Sequence, residues 1–257
     1  MSASPRQLTD PEVERYSRQL ILDGVGEAGQ ERLRQARVLV VGAGALGSPV
    51  VTYLAAAGVG HLTVYDGDSV ELSNLSRQPV HGEADAGQNK AESARAAALA
   101  LNSTVEIEAV AHRLDPAQAR DGVRGYSVVC DATDDFESKF ALNDACVAEG
   151  VPLVHAAILA YGGQLTTVVP GGPCYRCLFG APPDDADIPT CAQAGILGPV
   201  ASVVGGLQAM EALKLVLGVG TPLRGRLLVY EGLEPSVREV AFRRDPACPA
   251  HIFKGDR

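Results

Sequence analysis

The chain has 257 residues, room for one large α/β domain or two small ones at about 100–200 residues per domain. Apolar residues make up 46% and charged residues 21%, which excludes disordered and fibrous classes. With 22 Lys and Arg against 31 Asp and Glu, the formal net charge is −9, the wrong sign for a general phosphate-backbone binder, so nucleic acid is not an expected partner.

Residues 12–22 and 27–36 alternate apolar and charged side chains at helical spacing, with Gly24 and Gly26 marking the break. Residues 37–41 are a short apolar run that reads as a buried strand, followed by a helix over 46–57 that Gly58 stops. A second strand covers 61–65 and ends at Asp66. A loop over 67–88 precedes an Ala-rich helix over 89–101. Strands follow at 105–110 and 128–131, then a helix over 135–149 and a strand at 153–157. This alternation predicts an α/β fold: a Rossmann-like, doubly wound, mainly parallel sheet with helices on both faces. Beyond residue 157, strands at 164–169, 226–230 and 237–242 predict an antiparallel continuation, with a helix around 202–217 between them. The expected organisation is one domain over 1–257, its nucleotide-binding half about 1–158 and the remainder about 159–257.

The first ten residues are polar and lack the apolar centre of a secretory signal. Two uncharged stretches, 151–175 and 191–210, are broken by Pro and Gly, and the second runs into Glu211 and Lys214. Neither reads as the roughly 20 apolar residues of a spanning helix. A cytoplasmic protein with no membrane association is the expectation, which also makes the six cysteines poor candidates for disulfides.

Gly42-Ala43-Gly44-Ala45-Leu46-Gly47 is a G-x-G-x-x-G between a strand and a helix. Its glycines permit a tight turn and close phosphate approach, and the helix N-terminus supplies amides and a positive dipole. Asp66 ends the next strand, where a carboxylate accepts hydrogen bonds from a ribose. The alternative is a glycine turn that only packs helix on sheet. Asn74 and Arg77, in the loop after Asp66, and Lys90 at the start of the next helix could converge on a polyphosphate, where cations and an amide offset charge. The alternative for Arg77 and Lys90 is a solvated surface charge. Asp134 follows the strand at 128–131 at the carboxyl edge of the sheet and suits Mg²⁺, which takes one or two carboxylates plus substrate phosphates. Capping the helix near Phe136 competes for it. Cys174 and Cys177 form a C-x-x-C that looks like a metal knuckle.

Together these motifs resemble the MoeB/ThiF/HesA family, bacterial relatives of ubiquitin-activating enzymes. The marks run along nearly the whole chain: Arg15-Tyr16-Ser17-Arg18-Gln19, Gly42 to Gly47, Asp66, the Ser73 to Gln78 stretch, Lys90, Thr133-Asp134-Asp135, Cys174-Tyr175-Arg176-Cys177, and Gln208-Ala209-Met210-Glu211-Ala212. The resemblance implies adenylation of the C-terminal glycine of a ubiquitin-like sulfur-carrier protein ending in Gly-Gly. It implies ATP over the glycine loop, Asp66 on the ribose, Asn74, Arg77 and Lys90 on the phosphates, and Mg²⁺ at Asp134. Arg18 matches an arginine that reaches into the neighbouring subunit's ATP site in this family, which implies a homodimer. The family closes a structural zinc site with a second C-x-x-C. This chain has Cys248-Pro249-Ala250-His251 instead, so the expected Zn²⁺ ligands are Cys174, Cys177, Cys248 and His251. Cys191 matches a place where some relatives form a covalent sulfur or acyl conjugate and others do not. It is either a catalytic thiol or a bland loop residue.

The chemistry implied needs no general base, because a terminal carboxylate with a pKa of roughly 3.3–3.7 is already ionised at neutral pH. No role is expected for His61, His81, His112 or His155, which form no pattern. The printed chain ends at Arg257 without a rhodanese-type extension, so a separate sulfur donor protein is expected. Two other classes compete. An NAD-dependent oxidoreductase would need a hydride-handling His or Tyr, and a non-catalytic subunit would lack the arginine and aspartate set. The tRNA-modifying cyclase branch of the superfamily is a closer rival, disfavoured by the net charge and the C-x-x-C.

Overall fold

The computed structural model describes residues 7–182 and 194–252. Eight strands form one mixed sheet in the order β3-β2-β1-β4-β5-β6-β7-β8. Strands β1 (Arg37–Val41), β2 (His61–Tyr65), β3 (Glu106–Val110), β4 (Val128–Asp131) and β5 (Leu153–Leu159) run parallel. The antiparallel continuation is β6 (Gly162–Val168), β7 (Arg226–Glu231) and β8 (Ser236–Ala241).

The apolar run of β1 is buried on both faces, as a central parallel strand requires. Its side chains alternate. Val38 and Val40 enter a core beneath helices α3 (Gly47–Ala57), α4 (Lys90–Leu101) and α8 (Gly198–Leu217). Leu39 and Val41 enter the core on the other face, beneath α6 (Phe136–Glu149). From β1 the sheet grows through β2 and β3 on one side and through β4 and β5 on the other. That reversal opens a crevice at the carboxyl ends of β1 and β4, where open α/β sheets place their ligands.

Helix α8 starts four residues earlier than expected, because Pro199 occupies its first turn, where a missing N–H costs nothing. By length and composition α8 could cross a membrane. Here it is a core helix, with Val200, Ala201, Val204, Ala209 and Ala212 buried. The edge strand β8 is exposed along its whole length and carries Arg238 and Glu239, charges that discourage edge pairing.

At the opposite end of the sheet, α1 (Asp10–Leu20) and α2 (Gly26–Gln35) close the amino edge. Gln19 and Gln30 both donate to the Ala57 carbonyl, at 3.2 and 2.9 Å, and the Tyr16 hydroxyl accepts from Asn102 at 2.9 Å. These bonds fix α1 to the far end of α3. Two shorter helices, α5 (Ala119–Gly122) and α7 (Tyr175–Phe179), the terminal turn α9 (Pro249–Ile252) and single 3-10 turns at Leu72–Asn74, Glu83–Asp85 and Pro116–Gln118 complete the described structure.

Candidate adenylation site and cysteine clip

The three glycines of the loop after β1 have separate reasons to be glycine. Gly42 sits at φ +100°, and a Cβ there would stand 2.6 Å from the Ala132 carbonyl oxygen. A Cβ on Gly47 would run into the Gly42 carbonyl oxygen. Gly44 is different: its nearest neighbour would be Gln78 Nε2 at 3.7 Å, ordinary contact. Packing explains the outer two; the middle one leaves room over the loop, where a ligand's phosphate can approach the backbone.

Asp66 is built into this loop. Its Oδ2 accepts from the Ala43 N–H and its Oδ1 from the Asp68 N–H, each at 2.8 Å. A carboxylate has about four acceptor positions, so lone pairs remain for a ribose hydroxyl. Asn89 caps α4 by accepting from Ala91 and Glu92, while its amide donates to the Asp66 and Asp68 carbonyls at 2.9 and 3.2 Å. One residue therefore ties the start of α4, and with it Lys90, to the end of β2.

Lys90 is buried, with Nζ 3.2 Å from Asp68 Oδ2. Asp68 also receives Arg113 at 3.1 Å. Burial opposes ionisation of Asp68, but the Arg113 hydrogen bond and the Lys90 charge outweigh it and hold its carboxyl below the ordinary range. The Arg113 pKa is in turn raised, first by its hydrogen bond to Asp68, with the charges of Asp134 and Asp135 adding to it. Asn74 is buried and accepts from the Glu71 N–H at 3.2 Å. Arg77, half-buried, donates to the Ser73 carbonyl at 2.8 Å. Asp134 is exposed, and the cap of α6 falls to Asp135, whose side chain accepts from Ser138 at 2.7 Å. Capping thus makes no demand on Asp134.

Three supporting groups have roles that the sequence pattern does not give, although Gln208 is among the family marks. His81 is buried with Nε2 2.9 Å from the Ala43 carbonyl and Nδ1 2.8 Å from Ser93 Oγ. A carbonyl can only accept, so Nε2 carries the proton and Nδ1 accepts from the serine. Burial pushes the His81 pKa down, which keeps it neutral for that duty. Beneath the site, Asp131 is fully buried, with His155 Nδ1 at 2.7 Å, Thr133 Oγ1 at 2.6 Å and Lys139 Nζ at 3.3 Å. Burial opposes its ionisation; the Lys139 charge and the hydrogen bonds from His155 and Thr133 prevail and hold it far below the carboxylate range. Burial, aided by the Lys139 charge, lowers His155, so Lys139 is the cation of this network and His155 a neutral donor. Gln208 Nε2 closes the arrangement with bonds to the Asp131 and Val154 carbonyls at 2.7 and 2.9 Å.

Arg18 is exposed on α1, whose Gln19 is held at the Ala57 end of α3; that helix, about 15 Å long at 1.5 Å of rise per residue, has the glycine loop at its other end. Cys191 lies among residues 183–193, outside the described residues.

The cysteine clip sits on the α6 side of the sheet. Cys174 Sγ is 3.7 Å from both Cys177 Sγ and Cys248 Sγ, and Cys177 Sγ is 3.4 Å from His251 Nε2. All four ligand atoms lie within 4.8 Å of one another. Tetrahedral zinc with Zn–S of about 2.3 Å and Zn–N of about 2.0–2.1 Å requires S···S near 3.8 Å and S···N near 3.6 Å. The donor set fits. Cys177 lies in α7, whose Tyr175 N–H donates to Asn143 at 2.8 Å, while Arg176 makes a bidentate pair with Asp144. The knuckle is thereby fastened to α6.

A model of the ThiF family matches residues 16–250. The chain belongs to the ThiF family. It is 50% identical over 238 residues to the SAMP-activating enzyme E1 of Haloferax volcanii, covering 93% of this chain and 88% of that protein. Over 247 residues it is 48% identical to the sulfur carrier protein adenylyltransferase of Thermus thermophilus, covering 94% and 91%. Bovine adenylyltransferase and sulfurtransferase MOCS3 is 50% identical over 245 residues, but the match covers 95% of this chain and only 54% of MOCS3. Among solved structures, E. coli MccB with AMPCPP and selenomethionine MccA superposes with a TM-score of 0.83 at 23% identity, over 95% of this chain and 75% of that one. That likeness establishes a shared fold for this ThiF-family protein.

Proposed function

We propose that this ThiF-family protein uses ATP to adenylate the C-terminal glycine carboxylate of a ubiquitin-like sulfur-carrier protein ending in Gly-Gly. The observation that carries the reading is the open Gly44 cradle joined to Asp66 through the Ala43 amide, in a chain 48% identical to a sulfur carrier protein adenylyltransferase. ATP lies over the Gly42, Gly44 and Gly47 loop with its ribose on Asp66. Asn74, Arg77 and Lys90 hold the phosphates, and Asp134 holds Mg²⁺, which neutralises charge on the polyphosphate when bound. A carboxylate oxygen of the carrier attacks the α-phosphorus, the α–β bridging P–O bond breaks, and pyrophosphate leaves with the electron pair. No proton moves, so the site supplies position and charge compensation rather than a base.

Residues 1–158 form the nucleotide half of a single adenylation domain, and 159–257 the carrier-binding and clip part. Zinc on Cys174, Cys177, Cys248 and His251 pins the C-terminal tail to the segment after β6, a structural role. Arg18, exposed on the helix anchored at the other end of α3 from the glycine loop, serves the ATP site of a second subunit in a homodimer. Cys191 is the candidate thiol for a covalent conjugate with the carrier, and the sulfur comes from a separate donor protein. The protein acts in the cytoplasm.

Incubation with ATP, Mg²⁺ and Gly-Gly-ending carriers, read as ATP–pyrophosphate exchange, tests this. Exchange that requires carrier is expected. No exchange with any carrier, together with tight NAD binding, would transfer the reading to a dehydrogenase.

A further inference from the structure

Four buried side-chain polar atoms have no hydrogen-bond partner among the described residues: Ser48 Oγ, Gln78 Oε1, His155 Nε2 and Gln208 Oε1. His155 and Gln208 each satisfy their other polar atom within the chain. Gln78, only 4% exposed, buries its carboxamide oxygen without a partner, and no described residue accepts from its nitrogen, which faces the Gly44 cradle. Folded chains rarely bury a carboxamide that way unless a ligand or water completes it.

Its position indicates the ligand. The carboxamide nitrogen lies 3.7 Å from where a Gly44 Cβ would be, over the one glycine of the loop that packing does not demand. On one side is the Ala43 amide held by Asp66, the ribose end. On the other is Arg77, the adjoining residue in the chain, in a turn closed by the Gln78 and Arg77 N–H groups donating to the Asn74 carbonyl at 3.0 Å. Between a ribose anchor and polyphosphate cations comes the α-phosphate, the group under attack.

We propose that Gln78 is a further catalytic residue, donating a carboxamide N–H to a non-bridging α-phosphate oxygen. The inference rests on ATP being the substrate of this edge. Phosphate oxygens only accept, and the NH₂ end is the one that faces the Gly44 cradle. Being neutral, the group stabilises charge that builds on the pentavalent phosphorus without tethering the departing pyrophosphate as an arginine would.

The test uses the full chain with Mg²⁺ and the Sp and Rp diastereomers of ATPαS, in which sulfur replaces one or the other non-bridging α-oxygen. Binding is titrated for the unaltered chain, Gln78→Met and Gln78→Glu, and single-turnover carrier adenylation is timed. A preference for one diastereomer is expected, reduced by about tenfold in Gln78→Met, as the loss of a hydrogen bond to a charged group implies. Adenylation should slow by about 10²-fold, more than ATP affinity falls. Should Gln78→Met not fold, Gln78→Leu removes the donor without adding charge and should give the same loss of diastereomer preference, whereas Gln78→Glu adds a charge that repels the phosphates and should weaken ATP binding further. No diastereomer preference in the unaltered chain, or one that the substitution leaves unchanged, overturns the proposal. Absence of ATP binding to the unaltered chain overturns the site reading and this inference together. ATP binding with the expected diastereomer shift but no exchange with any carrier contradicts only the carrier reading.

Discussion

The glycine-loop edge and the cysteine clip both present groups for a charged ligand, but they hold those groups differently. In the clip the donor atoms already stand at metal-compatible separations, and the short turns carrying them are closed by backbone bonds from Cys177 to Cys174 and from His251 to Cys248, both 3.0 Å. At the nucleotide edge the cations are lent to neighbours: Lys90 to Asp68, Arg77 to the Ser73 carbonyl. Each of these contacts has one exposed member, Asp68 or Ser73, so a polyphosphate bound as proposed would find both cations in single contacts it can replace. A structural site gains from being finished in advance. A turnover site gains from partners it can exchange.

The network around Asp131 lies between the two regions, since His155 contacts Asp131 on one side and, on the other, packs at a tilt with its ring centre 4.1 Å from that of Tyr175, the residue after Cys174. Lys139→Met should be the most damaging change, because it leaves Asp131 buried without its cation. The expected loss is about 3–5 kcal/mol in urea unfolding. It should weaken ATP binding and metal retention together, and damage confined to one region would show that the two are mechanically independent.

Changes at the exchanging edge should separate the regions. Arg77→Ala and Asp134→Ala are each expected to slow carrier adenylation by about 10²–10³-fold while the melting temperature and zinc content stay at wild-type values. Near-normal exchange in both variants would remove them from the site. The converse change is Cys174→Ser, expected to lose zinc and about 3 kcal/mol of ligand-linked stability, or about 6–12 °C in Tm for a chain of this size. ATP affinity should change little. His251→Ala should lower zinc affinity as well, and less than about half a zinc per chain in the unaltered protein would contradict the four-ligand set.

The histidines distinguish loop support from nucleotide chemistry. Burial depresses both His81 and His155, so each takes up its proton less readily folded than unfolded. Their contribution to stability is complete above the unfolded pKa of about 6.5 and declines as pH falls below it. Asp131, also depressed, adds a second loss below about pH 4. Thermal scans should therefore show Tm falling in two steps on acidification. His81→Gln should shrink the first step, and an unchanged profile in that variant would separate His81 from the acid response.

Much of the edge was legible in the sequence because backbone geometry imposes it. Gly42 and Gly47 have no room for a Cβ, Asp66 ends a strand at a fixed distance from them, and the strand–loop–helix order is local. The clip was legible for a related reason, as C-x-x-C and Cys-x-x-His each place two ligands on one short turn. His81, Gln78 and the Lys139–Asp131–His155 network were not. Their roles depend on which distant side chains packing brings opposite them, and no spacing rule covers residues 24 positions apart on neighbouring strands. The start of α8 was misplaced for a simpler reason: Pro199 reads as a breaker, yet in a first turn it is an initiator.

The central claim is that this chain joins AMP to a carrier's terminal carboxylate. Intact-mass spectrometry of a Gly-Gly-ending carrier, quenched in acid after incubation with the protein, ATP and Mg²⁺, reads that bond directly. The account predicts a carrier species heavier by one AMP, absent without ATP and strongly reduced with Arg77→Ala. No adduct and no pyrophosphate release with any such carrier, from protein that binds ATP and retains its zinc, would contradict it.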